Sequence, residues 1–128
     1  MSYYFSKTVA YSYNEAIEKV TNLLQQRGFG ILTEIDVQAT LKKKLDVDFN
    51  KYIILGACNP PFAYKALQGE NKIGTMLPCN VIVQEIGDGE VEVSAVDPMA
   101  SMMAVENPEL EEIALEIGNL LSEVIEEL

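Results

Sequence analysis

One dipeptide constrains the fold of this chain more than any other feature. Asp88-Gly89 follows Gly87 and stands between two alternating runs, Val81 to Ile86 and Glu90 to Val96. Alternation has the two-residue period of a strand. Asp-Gly supplies the positive φ that a type I′ hairpin turn needs at both central positions. The chain is therefore expected to contain an antiparallel hairpin. A hairpin alone is only marginally stable in water, so further strands or a helix must pack on it.

The rest of the sequence supplies them. Tyr3 to Tyr11 reads as a strand with Tyr3, Phe5, Val9 and Tyr11 on one face and Lys7 interrupting the set. Ser12 with Glu15 three residues on is a capping box. Behind it, Ala16, Ile17, Val20, Leu23 and Leu24 keep helical spacing until Gly28. Phe29 to Ile35 returns as a strand, and Asp36 can cap a short helix with Val37, Leu41 and Leu45 on one stripe. The run Lys42-Lys43-Lys44 complements the dipole at that helix's end. Tyr52 to Ala57 is a nearly continuous apolar strand, which predicts burial on both faces. Asn59-Pro60-Pro61 then starts a helix that Gly69 ends. After the hairpin, Asn107-Pro108 pairs a cap with proline at the first helical position. From there Leu110, Ile113, Ala114, Ile117, Leu120, Leu121, Val124, Ile125 and Leu128 hold an apolar stripe for about five turns.

Alternating strands and helices followed by a hairpin predict one α+β domain over residues 1–128, a largely antiparallel sheet with helices packed on one face. A short doubly wound sheet is the alternative, disfavoured because no Gly-rich phosphate loop follows any strand. A chain of 128 residues can bury a real core, roughly two-thirds of its unfolded surface.

Composition removes whole classes of chemistry. The chain has no histidine, which excludes a Ser-His-Asp triad and every His-ligated metal site. Its net charge of −11 opposes binding to a phosphate backbone, so no nucleic-acid partner is expected. That charge is not evenly spread. Glu106, Glu109, Glu111, Glu112, Glu116, Glu123, Glu126 and Glu127 all fall in the last helix or directly before its cap, and no Lys or Arg follows Lys72. A solvated outer face is the first explanation for them. No signal-peptide pattern opens the sequence and no apolar run is long enough to cross a bilayer. With two cysteines too few for a disulfide scaffold, a cytoplasmic location with no membrane partner is expected.

Cys58, in Gly56-Ala57-Cys58-Asn59-Pro60-Pro61, stands where a strand meets a helix start. Unpaired N–H groups and the dipole at such a start favour an anion and can activate a thiol. The competing explanation is a small buried hydrophobe. Cys79, in Leu77-Pro78-Cys79-Asn80-Val81, is the second thiol. Neither lies in a CxxC spacing, so Cys58 and Cys79 are weak metal candidates and no cofactor or metal is expected. Glu34 and Asp36 flank Ile35 and share a strand face, where paired carboxylates can do acid–base work. Against that, Asp36 reads more simply as a helix cap. Asp97, before Pro98, is a third carboxylate at an element boundary. Met99, Met102 and Met103 suit Cu(I) by their softness, but a flexible surface for an apolar partner is the commoner use of such a run.

These motifs in this order resemble the domain-of-unknown-function 302 family. The resemblance is carried by Gly28-Phe29-Gly30-Ile31-Leu32-Thr33-Glu34-Ile35-Asp36-Val37, Leu55-Gly56-Ala57-Cys58-Asn59-Pro60-Pro61, Leu77-Pro78-Cys79-Asn80-Val81 and Val96-Asp97-Pro98. It implies a small α+β domain similar in layout to the TATA-box-binding-protein fold, and a homodimer. It implies no activity, and likeness to a DNA-binding fold is not evidence of DNA binding. It also draws Glu34, Cys58, Asn59, Cys79 and Asp97 together as one expected neighbourhood.

Two functional readings follow. The first is a cytosolic homodimer that binds a small molecule or a partner protein, with Glu34, Asp36, Cys58, Asn59, Cys79, Asn80 and Asp97 as candidate binding residues. The second is a thiol-dependent enzyme or a redox or metal-binding protein using Cys58 and Cys79, with Cys58 and Glu34 as the candidate catalytic residues. The absence of histidine, of a phosphate loop and of metal-ligand spacing favours the first.

Overall fold

The computed structural model describes residues 2–128. Five strands form one antiparallel sheet in the order β1-β5-β4-β3-β2, with β1 Tyr4–Val9, β2 Gly30–Asp36, β3 Tyr52–Cys58, β4 Cys79–Gly87 and β5 Glu90–Val96. The helices are α1 Tyr13–Gln26, α2 Val37–Leu45, α3 Pro60–Gly69, the single turn α4 Pro98–Ser101, and α5 Pro108–Glu127. The α+β arrangement with helices on one face is thus the fold.

The hairpin forms with its two-residue loop, but its turn is not type I′. Gly89 takes φ +72° while Asp88 does not enter the positive-φ region. A turn whose positive φ falls only at its second central residue is neither of the primed types that match the strand twist. The ladder absorbs the mismatch by a register shift between Glu85 and Gly87, a bulge around Ile86.

Ser12 caps α1 as the sequence predicts. Its hydroxyl accepts from Glu15 N at 3.2 Å, and the Glu15 carboxylate accepts from Ser12 N at 3.4 Å. Replacing Ser12 with alanine is expected to cost about 1 kcal/mol in a urea titration. An unchanged midpoint would mean that packing of Val20 and Leu24, and not the cap, sets the stability of this end.

One face of the sheet makes the core. Leu55, Ala57, Val81, Val83, Val91, Val93 and Ala95 point at Ala16, Val20 and Leu24 of α1 and at Ile117, Leu121, Val124 and Ile125 of α5. A smaller cluster of Ala66, Ile73 and Leu110 joins α3, the 3-10 turn Asn71–Met76 and α5. Lys7, which breaks the apolar face of β1, has a role here. Its ammonium donates to the carbonyl oxygens of Glu126 (3.0 Å) and Leu128 at the end of α5, a helix with no basic residue in its own last turn. It thereby satisfies orphan acceptors at the negative end of the dipole. At the same end Arg27 pairs with Glu123 and Glu127, so α5's acidic face is in part an ion-pair seam with α1 rather than wholly solvated.

The other face of the sheet is built from the alternate residues. Ser6 pairs in register with Ser94, Ser94 with Ile82, Ile82 with Ile54, and Ile54 with Ile35. The expected burial of β3 on both faces therefore holds only at Leu55, Gly56 and Ala57. Tyr52 and Ile54, on the open face, are half-buried because the helices pack on the other side, and Ile53, on the helix side opposite Asp36, is half-buried toward the start of the strand. α2 buries no residue, and Leu45 of its expected apolar stripe is 65% exposed.

Candidate functional site

Three of the predicted site residues converge. Cys58 ends β3, Asn59 follows it, and Cys79 begins β4, opposite Ala57 in the ladder. All three line one apolar cavity of about 30 Å³, closed by Phe62 of α3, Met102 after α4, and Ile117 of α5. A water needs roughly 10–15 Å³ of such space, so the cavity has room for a water or two or an ion and not for a metabolite.

The local chemistry differs from what the sequence implied. Asn59 occupies the cap position of α3 but makes no side-chain cap bond. Its amide instead donates to the Arg27 carbonyl at 3.2 Å, tying the end of α1 to the start of α3. Gly28 lies under it with φ +85°, and a Cβ there would sit 3.2 Å from Asn59 Nδ2. The helix start next to Cys58 is also poor in donors, since Pro60 and Pro61 carry no N–H. Cys79 is buried, and burial first and the nearby Cys58 second push its thiol up to about 11. Such a thiol is protonated at neutral pH and is a poor nucleophile. Both cysteines are free, and no group of three or more Cys, Asp or Glu residues that could hold a metal occurs among the described residues.

The raised Cys79 pKa makes a pH prediction. The unfolded thiol ionises near its ordinary 9.0, whereas the folded one holds its proton to about 11. Stability is therefore complete below pH 9 and falls between 9 and 11, by about 2–3 kcal/mol in all. Tyr13, raised to about 12 by burial and then by Asp36, extends the decline in the same direction at still higher pH. Urea midpoints of reduced protein at pH 8 and 10.5 should separate in the native chain and draw together in Cys79→Ala. Equal separation in both would assign the decline to other groups.

The remaining predicted residues lie elsewhere. Asp36 caps α2, its carboxylate accepting from Ala39 N at 2.9 Å. Glu34 pairs in register with Leu55, two steps from Asp36 on the same face of edge strand β2, and is exposed. Neither lines the cavity, so the single neighbourhood of Glu34, Cys58, Asn59, Cys79 and Asp97 is not what the fold builds. An edge strand whose carboxylates lie beyond the packed helices leaves them in water. Asp97 caps α4 by accepting from Met99 N at 3.0 Å, and only its neighbour Pro98 reaches the cavity. Asn80, one residue after Cys79, projects to the opposite face of the sheet by strand alternation.

On that opposite face Asn80 joins Tyr3, Tyr4, Tyr52, Gln84 and Glu92 around a groove of about 410 Å³. Gln84 Nε2 donates to Glu92 at 3.2 Å, and Ser94, which also lines the groove, has its hydroxyl 2.9 Å from that of Ser6. Of this set only Asn80 is a site candidate from the sequence, with Tyr3 and Tyr52 read there as strand residues. Its signal was the alternate residues of β1, β4 and β5, which are visible in the alternation but assigned no role there.

The segments that carried the resemblance meet physically. A Cβ on Gly56 would lie 2.2 Å from Thr33 Oγ1 and 2.8 Å from Pro78 Cγ, so three of the segments cross at one glycine. The model of the family "Domain of unknown function DUF302" matches residues 5–128. A crystal structure of an uncharacterised conserved DUF302 protein from Bacillus stearothermophilus is similar over 98% of each chain, with 29% identity and a TM-score of 0.91. No curated protein matches. Among the described residues no helix is long and apolar enough to cross a membrane. On a match spanning all but the first few residues, the chain belongs to the DUF302 family.

Proposed function

We propose that this chain is a homodimeric binding module, working in the cytoplasm, in which two copies pair through the open face of the sheet around the tyrosine-lined groove. The observation that carries the proposal is the segregation of charge. Of Tyr4, Ser6, Ser94, Ile82, Ile54, Ile35, Asn80, Gln84, Tyr52, Glu92 and Glu90 on the open face, only Glu92 and Glu90, toward the hairpin end, are charged. The eight glutamates from Glu106 onward are exposed on the helix side. A chain of net charge −11 repels its copies, and pairing through the open faces places the two acidic helices farthest apart. A surface depleted of charge and rich in tyrosine has the composition of an interface core. Tyr4 is 45% and Ile35 48% exposed in the single chain, so apolar area remains to be covered. The groove, of ligand size and with amide, carboxylate and phenol groups, is suited to a small molecule of mixed polarity held between the copies.

The chain lacks tryptophan, so its tyrosines report directly. Acrylamide quenching of tyrosine emission should increase on dilution from high micromolar to nanomolar protein, as Tyr3, Tyr4 and Tyr52 are released. Quenching independent of concentration would refute pairing through this face.

A further inference from the structure

We infer that the open-face groove selects a cation: its ligand is a primary amine with an apolar body, the ammonium on Glu92 and the body running along Ile82 toward Tyr3 and Tyr4. This deepens the pairing proposed above and rests on it only for the cover over the groove. Strand register fixes the two ends. Glu92 pairs with Gln84 and Gln84 with Tyr52, which makes one row across the open face. Tyr4 pairs with Val96, four residues from Glu92 along β5, or roughly 13 Å at the rise of an antiparallel strand. At that far end the Tyr3 and Tyr4 rings stand 5.0 Å apart with 73° between their planes. Ile82 lies between the ends, since its partner Ser94 is midway from Glu92 to Val96. A groove of about 410 Å³ with its charge at one end and its paired rings at the other fits an elongated amphiphile.

The near end sets the sign of the charge. Glu92 is the only charged residue that lines the groove, and it is half-buried. The Gln84 amide donates to one of its oxygens and holds the carboxylate in place. No ion pair among the described residues uses Glu92, whose neighbours across the sheet are Thr8 and Gln84. Two lysines of the flanking strands are engaged on the helix side, Lys7 at the end of α5 and Lys51 over the Tyr13 ring. An anion in the groove would meet a carboxylate with nothing to offset it. An ammonium gains a charge-assisted hydrogen bond there, and apolar walls make the attraction stronger than in open water. A metal ion lacks ligands, because no group of three or more Cys, Asp or Glu residues that could hold one occurs among the described residues. The groove has room for water to hydrate Glu92, so the copies pair without the amine.

The test uses three compounds with one body and different charge: phenylbutylamine, phenylbutanol and phenylpentanoate, each titrated calorimetrically into the full-length protein. The native chain should bind the amine at least about 10-fold tighter than the alcohol, as a hydrogen bond to a charged group allows, and the carboxylate weakest. Glu92→Gln keeps the side-chain shape and an acceptor for Gln84, and it should bind amine and alcohol equally. Glu90→Gln makes the same change of charge at the hairpin end, outside the groove lining, and should keep the native preference. Failure of the native chain to bind the amine, or equal affinity for amine and alcohol, would overturn the inference. So would a preference that survives Glu92→Gln, or one lost equally in Glu90→Gln, which is the general attraction of a chain of charge −11 for any cation. Sedimentation of the same samples separates this inference from the pairing. A dimer with no preference for the amine refutes the cation alone, and a monomer that prefers the amine refutes the pairing alone.

Discussion

Gly56→Ala should destabilise the chain by about 1–3 kcal/mol, the usual cost of forcing an extra methyl group into a packed site. Gly56 lies mid-sheet, pairing with Asn80 on one side and Thr33 on the other. Its added Cβ would overlap Thr33 Oγ1 at 2.2 Å and the Pro78 ring at 2.8 Å. Those two obstacles differ in kind. Thr33 is exposed on edge strand β2 and has a side chain that can turn, whereas the Pro78 ring is fixed to its own backbone. Thr33→Ala in the Gly56→Ala background should therefore recover part of the loss and not all of it. Urea denaturation of the three proteins decides the point. A single variant within about 0.5 kcal/mol of the native chain, the range of an ordinary surface change, would show that the sheet yields there.

Ile82→Glu should abolish the dimer while leaving the fold intact. Ile82 sits at the middle of the open face, between Ile54 and Ser94 in register and one diagonal step from Glu92. It is half-buried in the single chain, so a carboxylate there still reaches water in the monomer. Between paired faces the same carboxylate would be desolvated without a basic partner, and symmetry would bury it twice. An unpaired buried charge costs about 3–5 kcal/mol, so the dissociation constant should rise at least about 100-fold. Circular dichroism and the monomer's unfolding midpoint should stay near native. A variant that still dimerises with native affinity would move the interface off this face.

Element existence was legible because local rules and tertiary packing agree through most of the chain. The capping box at Ser12, the Asn107-Pro108 start of α5 and the Asp88-Gly89 loop all mark real boundaries. Where prediction and structure part, one residue type carried two explanations. Tyr52 to Ala57 reads as doubly buried because its side chains are apolar, yet which face a sheet covers depends on where α1 and α5 return, and no local signal holds that. Lys7 looks like a flaw in an apolar face until the end of α5, more than a hundred residues away, is brought beside it. Asn59 has the identity and position of a cap, but Gly28 leaves the room that draws its amide to Arg27.

The candidate site was legible in its residue types and not in its grouping. Cys58 and Cys79 read as a helix-start and a strand-start thiol, and the β3–β4 register brings their strand ends side by side. Met102 reads with the other methionines as a partner surface, and only the packing of α4 against α5 places it on the cavity that Cys58 and Cys79 also line. Glu34 and Asp36 share a face as predicted, but that face lies on an edge strand outside the helix layer. The open-face groove is not legible in the sequence because its residues, taken singly, are ordinary outward positions of strands.

Sedimentation equilibrium of the native chain at micromolar concentration tests the central reading most directly. Pairing through the open sheet face predicts a species of twice the 14.2 kDa chain mass that reverts to monomer in Ile82→Glu. A native chain that remains at 14.2 kDa throughout that range would contradict it.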